Sequence, residues 1–101
     1  MKNNEKVLQL IGLSHRARLL ISGSDTVLRS IRKQSVKLVL VANDAGATTK
    51  KKFLDKCEFY QIDVDMTFSK QQLGQASGQS NIVYGILDNG FAKKIKELLQ
   101  M

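Results

Sequence analysis

The chain is poor in the residues that staple small secreted folds. It has a single cysteine, Cys57, so no internal disulfide can form. One cysteine and one histidine cannot supply the donors of a structural zinc site. Proline and tryptophan are absent. No apolar run approaches the ~20 residues that cross a bilayer. No secretory core follows Met1-Lys2-Asn3-Asn4-Glu5. The expectation is a soluble cytoplasmic protein, without metal or cofactor and with no membrane partner. Its 101 residues are 43% hydrophobic and suit one domain over residues 1–101. A chain this size buries roughly two-thirds of its surface on folding, enough for one core.

Acidic residues are also scarce, 9 against 16 basic, which leaves a net charge of +7. The imbalance is local. Residues 1–58 hold 12 basic and 5 acidic side chains, whereas residues 59–101 hold 4 of each. An excess confined to one part of the chain points to a polyanionic partner.

Two runs have the β-branched, nearly continuous apolar character of strands covered on both faces, Val36–Ala42 and Asn81–Leu87. Gln61–Met66 alternates with period two, as an edge or half-exposed strand does, and Leu19–Ile21 is a shorter fourth candidate. Helical spacing fills the gaps. Val7, Leu8, Leu10 and Ile11 give residues 4–13 one apolar side. Val27, Leu28 and Ile31 do so for residues 25–34, with Ser24 as the expected N-cap. Phe53, Leu54, Cys57 and Tyr60 mark residues 49–60. Ser69-Lys70-Gln71-Gln72 is a capping box that opens a short helix ending at Gly78. Phe91, Ile95, Leu98 and Leu99 face one side of a last helix. Strands alternating with helices over short connections predict helices on both faces of a sheet. No repeat, low-complexity tract or linker interrupts the pattern.

Helix 25–34 carries the most chemistry. Opposite its apolar positions, Asp25, Arg29, Arg32 and Lys33 follow i, i+4, i+7, i+8 spacing, with Thr26 beside them. Gly23 and Ser24 precede it. Free backbone N–H groups, a hydroxyl and a guanidinium fork therefore meet at one exposed end, which suits phosphate oxygens and purine edges. An ordinary solvated face with an Asp25–Arg29 ion pair is the competing explanation. Lys50-Lys51-Lys52 stands near the start of the next helix, where cations oppose the macrodipole. Gly46-Ala47-Thr48-Thr49-Lys50-Lys51 lacks the second glycine of a nucleotide-binding phosphate loop. Cys57 shares the apolar side of its helix and reads as a buried structural thiol. His15, among cations and far from any carboxylate in sequence, suits a surface turn or an auxiliary backbone contact better than a general base. Asp63 and Asp65 share one face of a strand, as exposed polarity explains. No catalytic set assembles.

Three segments in order carry a resemblance over about residues 5–100: Gly23-Ser24-Asp25-Thr26-Val27-Leu28-Arg29, Val36–Ala45, and Leu73-Gly74-Gln75-Ala76-Ser77-Gly78. The chain resembles the bacterial YlxQ-like branch of the ribosomal-protein L-seven-Ae superfamily, whose members bind kink-turn RNA. The resemblance implies an α/β fold: a three-layer α/β/α sandwich, one domain around a central mixed four-stranded sheet, without catalysis. In that family a Gly-x-Asn-Glu-x-x-Lys segment enters the major groove at tandem sheared G·A pairs. Gly23 matches the glycine, Asp25 stands for Asn, Thr26 for Glu and Arg29 for Lys. Lys33 falls on a further basic position of that helix, and Lys70 matches a lysine beside the RNA. Gln79, Ser80, Asn81 and Ile82 occupy the loop that closes over a bulged nucleotide. Ionised Asp25 accepts but cannot donate, unlike Asn, whereas Arg29 keeps a donor fork.

The expected partner is thus structured RNA, ribosomal RNA included, with no DNA and a monomeric protein. Arg16, Arg18, Arg32, Lys37, Lys50, Lys51 and Lys52 are the expected auxiliary phosphate contacts. A protein-interaction module on the same scaffold is the alternative. An enzyme fragment is a third reading, against which stands the lack of room for a cofactor domain.

Overall fold

Alternation along the strands sorts the apolar residues into two cores. The computed structural model describes residues 3–101; Met1 and Lys2, which open the N-terminal run read for a targeting signal, lie outside them. The elements are α1 (Asn4–Arg16), β1 (Leu20–Ser22), α2 (Ser24–Arg32), β2 (Leu38–Val41), α3 (Ala47–Phe59), β3 (Asp63–Asp65), α4 (Lys70–Ser77), β4 (Val83–Ile86) and α5 (Asn89–Leu99). The strands form one sheet in the order β1-β4-β2-β3, with β4 antiparallel to β1 and β2, and β3 parallel to β2. This is the expected mixed four-stranded sheet, with β3 on an edge.

Leu38, Leu40, Tyr84 and Ile86 turn to one side and meet Val7 and Ile11 of α1, Leu73 of α4 and Ala92 and Ile95 of α5. Val39, Val41 and Val83 turn to the other and meet Val27, Leu28 and Ile31 of α2 and Phe53 and Cys57 of α3. Period-two alternation in β2 and β4 thus makes three layers, and all eight residues of these two strands are buried. Burying one such side chain contributes roughly 1.5–3 kcal/mol. No described helix is long and apolar enough to cross a membrane.

The α4 boundaries match the capping chemistry. Ser69 Oγ accepts from Gln72 N at 3.1 Å, and Gln72 Oε1 accepts from Ser69 N at 2.9 Å. Gly78 stops the helix in the left-handed conformation, φ +72°. Other ends differ from expectation. Helix α1 runs on to Arg16, because the buried Ser14 hydroxyl donates to Ile11 O at 2.7 Å and needs no non-helical partner. His15 therefore sits in the last helical turn, half-buried, and not in a surface turn. In α2 the N-cap is Gly23, with Ser24 the first helical residue and Lys33 the C-cap. Leu54, expected on the apolar side of α3, is 45% exposed, and the core takes Phe53 and Cys57 alone from that helix.

Candidate nucleic-acid interface

Strands β1 and β2 run the same way, since both are antiparallel to β4. The helices that follow them, α2 and α3, consequently start at the same end of the sheet. Neither has a side-chain cap. In α2 the first intrahelical bond runs from Val27 N to Gly23 O at 3.0 Å. The N–H groups of Ser24, Asp25 and Thr26 precede it and have no acceptor among the described residues. By contrast, α4 and α5 are closed by Ser69 and Asp88. Two uncapped, positively polarised helix ends at one pole of the molecule favour an anion there.

Gly23 fixes the entry to α2. Its N–H donates to Val83 O at 3.0 Å, and its backbone takes φ +96° and ψ 139°. Only glycine holds this conformation without strain. No atom lies within 4 Å of where its Cβ would stand, so the backbone is open to a partner on that side.

The loop after α4 comes to the same place. Ser22, immediately before Gly23, donates from Oγ to Gln79 Oε1 at 3.2 Å and accepts from Asn81 Nδ2 at 3.1 Å. Tyr84, fully buried, accepts from Asn81 N at 3.2 Å through its hydroxyl. Gln79 N donates to Ser77 Oγ at 3.1 Å. The loop is held from below by two buried side chains and from the side by β1. Beside it, Asp44 Oδ1 accepts from Lys70 N at 2.9 Å, and Asp44, Lys70, Gln71, Gly74, Gln75, Gln79 and Ser80 line a shallow cleft.

The fold thus gathers Gly23, Ser24, Asp25, Thr26, Lys70, Gln79, Ser80, Asn81 and Ile82 at one pole. Asp25 and Arg29 are exposed and form no ion pair among the described residues, so the guanidinium is free to meet a partner. Lys33 lies eight residues beyond Asp25, about 12 Å along the helix axis. Of the three consecutive lysines near the start of α3, Lys51 is engaged by Asp55 at 3.0 Å. Arg18 and Lys37 lie at the opposite pole, where Leu19 O accepts from Leu87 N and Lys37 N donates to Ile86 O. Arg16 ends α1, and Arg32 ends α2, away from its N-terminus. The expected auxiliary cations therefore do not form one patch.

For Cys57 and for Asp63 and Asp65 the plainer readings hold. Burial pushes the Cys57 thiol up to about 11. Asp63 pairs with Lys96 at 2.9 Å, and Asp65 accepts from Thr67 N and Oγ1. No group of three or more metal-ligating side chains occurs among the described residues. Three supporting residues, Ser22, Asp44 and Tyr84, escaped the sequence reading. Only Tyr84 left a signal there, as the one hydroxyl inside an otherwise apolar strand.

Residues 5–96 match the Ribosomal protein L7Ae/L30e/S12e/Gadd45 family. The chain is 45% identical over 98 residues to RNA-binding protein YlxQ of Enterococcus faecium, covering 97% of this chain and 95% of that protein. It is 41% identical over 91 residues to RNA-binding protein YlxQ of Bacillus subtilis (strain 168), covering 89% and 91%. A solved structure of a protein with unknown function from Bacillus halodurans C superposes with a TM-score of 0.91 at 42% identity, covering 95% of this chain and 98% of that one.

Proposed function

The chain belongs to the Ribosomal protein L7Ae/L30e/S12e/Gadd45 family, and from that premise we propose that it binds structured RNA of the kink-turn type, acting by recognition and not by catalysis. The observation that carries this reading is the Ser22 bridge, which joins the uncapped start of α2 to the 79–82 loop. The N–H groups of Ser24, Asp25 and Thr26 are donors in want of acceptors, and a phosphate or the acceptors on base edges supply them. Arg29 stands one turn further on and offers a planar fork to guanine O6 and N7. Asp25 supplies an acceptor for the amino groups that sheared G·A pairs expose. Lys33 and Lys70 neutralise phosphates on either side, and Gln79, Ser80, Asn81 and Ile82 close over an unpaired nucleotide.

The basic residues away from this pole, Arg16, Arg18, Arg32 and Lys37, contribute long-range attraction, as do Lys50 and Lys52 beside it. Such a binder works as a monomer in a ribonucleoprotein, ribosomal RNA being one host, in the cytoplasm. The deciding experiment is a titration of the protein with a kink-turn RNA and with the same RNA carrying disrupted G·A pairs. Preferential binding to the intact RNA is the expected result. Equal affinity for the two overturns the kink-turn reading and leaves a general RNA binder.

A further inference from the structure

Helix α3 ends in an aromatic side chain that the fold does not use. Phe59 is 77% exposed, and its ring meets Tyr60 edge to face, with centroids 5.0 Å apart and planes at 81°. Phe53 and Cys57 anchor the opposite side of the helix in the core, which fixes Phe59 toward solvent. Lys52, Lys56 and Phe59 follow i, i+4, i+7 and so share one helix face. Together with Asp55 and Tyr60 they line a shallow cleft. The Asp55 carboxylate is taken up by Lys51 at 3.0 Å, while Lys52 and Lys56 form no ion pair among the described residues.

A flat apolar ring flanked by two free ammonium groups has a definite complement. An apolar peptide would strand both charges, whereas a nucleotide offers a base to the ring and phosphates to the lysines. The stripe also starts at the right place. Lys52 lies about 8 Å down α3 from the end that shares a pole with that of α2, and the face runs about 10 Å further to Phe59. We propose that Phe59, Lys52 and Lys56 form a stacking platform for an unpaired nucleotide of the RNA strand that leaves the structured element held at α2. This rests on the RNA reading above and extends its footprint along α3.

The test uses a kink-turn RNA with blunt ends, the same RNA with a short single-stranded adenosine extension, and free oligoadenylate. Because the chain has no tryptophan, Phe59→Trp introduces a single indole fluorophore at the platform. The extension should tighten binding of the unmodified protein about tenfold. Phe59→Ala, which removes an exposed ring and leaves the core intact, should abolish that gain without changing affinity for the blunt RNA. Extended RNA and oligoadenylate should quench the indole emission of the Phe59→Trp protein, and blunt RNA should not. An extension that adds no affinity, or a gain that survives Phe59→Ala, overturns the platform. A change in the sedimentation of free protein on Phe59→Ala also overturns it, by assigning the ring to a second copy of the chain. If the kink-turn itself is not bound, the reading of α2 fails while oligoadenylate still decides the platform: quenching supports it and its absence removes it.

Discussion

Asn81 Nδ2 donates to Ser22 Oγ across 3.1 Å, although the two residues are 59 positions apart. The register that pairs Ser22 with Tyr84 brings this about, since it sets the end of β1 against the start of β4. Ser22 then donates its own hydroxyl proton to Gln79 Oε1. Ser22→Ala should therefore loosen the loop without harming the cores. Both freed partners are only part-buried and can take water, so the stability loss should stay below about 1 kcal/mol. Affinity for a kink-turn RNA should fall several-fold, mainly through faster dissociation. Thermal unfolding and dissociation kinetics on the same sample check the two halves.

Gly23 offers a sharper separation between strain and contact. Alanine there would meet no atom within 4 Å but would have to hold φ +96°. Gly23→Ala should cost about 1–3 kcal/mol of stability from backbone strain alone. Denaturant unfolding measures it. A neutral substitution would mean that the entry to α2 relaxes to an ordinary conformation.

These two residues also mark how far the sequence could be read. Local chemistry was legible: the Ser69 and Gln72 capping box, the Gly78 stop, the apolar runs of β2 and β4, and the amphipathic spacing of α2 all depend on neighbours within a few positions. The Gly23 end of α2 was legible as an exposed cluster for the same reason. Ser22 was not, because its role exists only once β1 pairs with β4. The Asp25–Arg29 pair of the competing explanation does not form among the described residues, because spacing permits an ion pair without requiring one between two solvated side chains. Leu54 was misplaced because Phe53 and Cys57 already fill the contact with the sheet, which leaves the next residue on the rim.

Cys57 gives a pH signature with a fixed sign. Burial raises its thiol from an ordinary 9.0 to about 11, so between these values the unfolded chain has lost a proton that the native protein keeps. Stability from this group is complete below pH 9 and declines as pH rises toward 11, by at most about 1.4 kcal/mol per unit. Denaturant unfolding of the unmodified protein and of Cys57→Ala across this range should show the extra decline only in the former. Cys57→Ser should cost about 1–2 kcal/mol. Native protein should react slowly with a thiol reagent, and rapid labelling would contradict the burial.

Electrostatic attraction should be visible in the salt dependence. If about three phosphates are neutralised at the α2 pole, log affinity should fall against log salt with a slope near −2 to −3. Binding titrations over a series of potassium chloride concentrations give the value directly. An affinity independent of salt would remove the cations from the account of binding.

Specificity and attraction should separate between α2 and α3. Arg29 is exposed, unpaired among the described residues and one turn beyond free backbone donors, a placement for reading base edges with a planar fork. Lys50, Lys51 and Lys52 carry ammonium groups on flexible stems, and Lys51 is already shared with Asp55. Their contribution should be charge alone. Arg29→Ala should therefore cost about 1–3 kcal/mol on an intact kink-turn and narrow the gap to the G·A-disrupted control. Replacing the three lysines by glutamine should weaken both RNAs by similar factors and flatten the salt slope, with Lys51 adding least. The discriminating quantity is the ratio of the two affinities, since it cancels any general loss of attraction. If Arg29→Ala leaves that ratio unchanged while both affinities drop, the exposed face of α2 acts only as a positive surface, and sequence discrimination must then reside in the 79–82 loop.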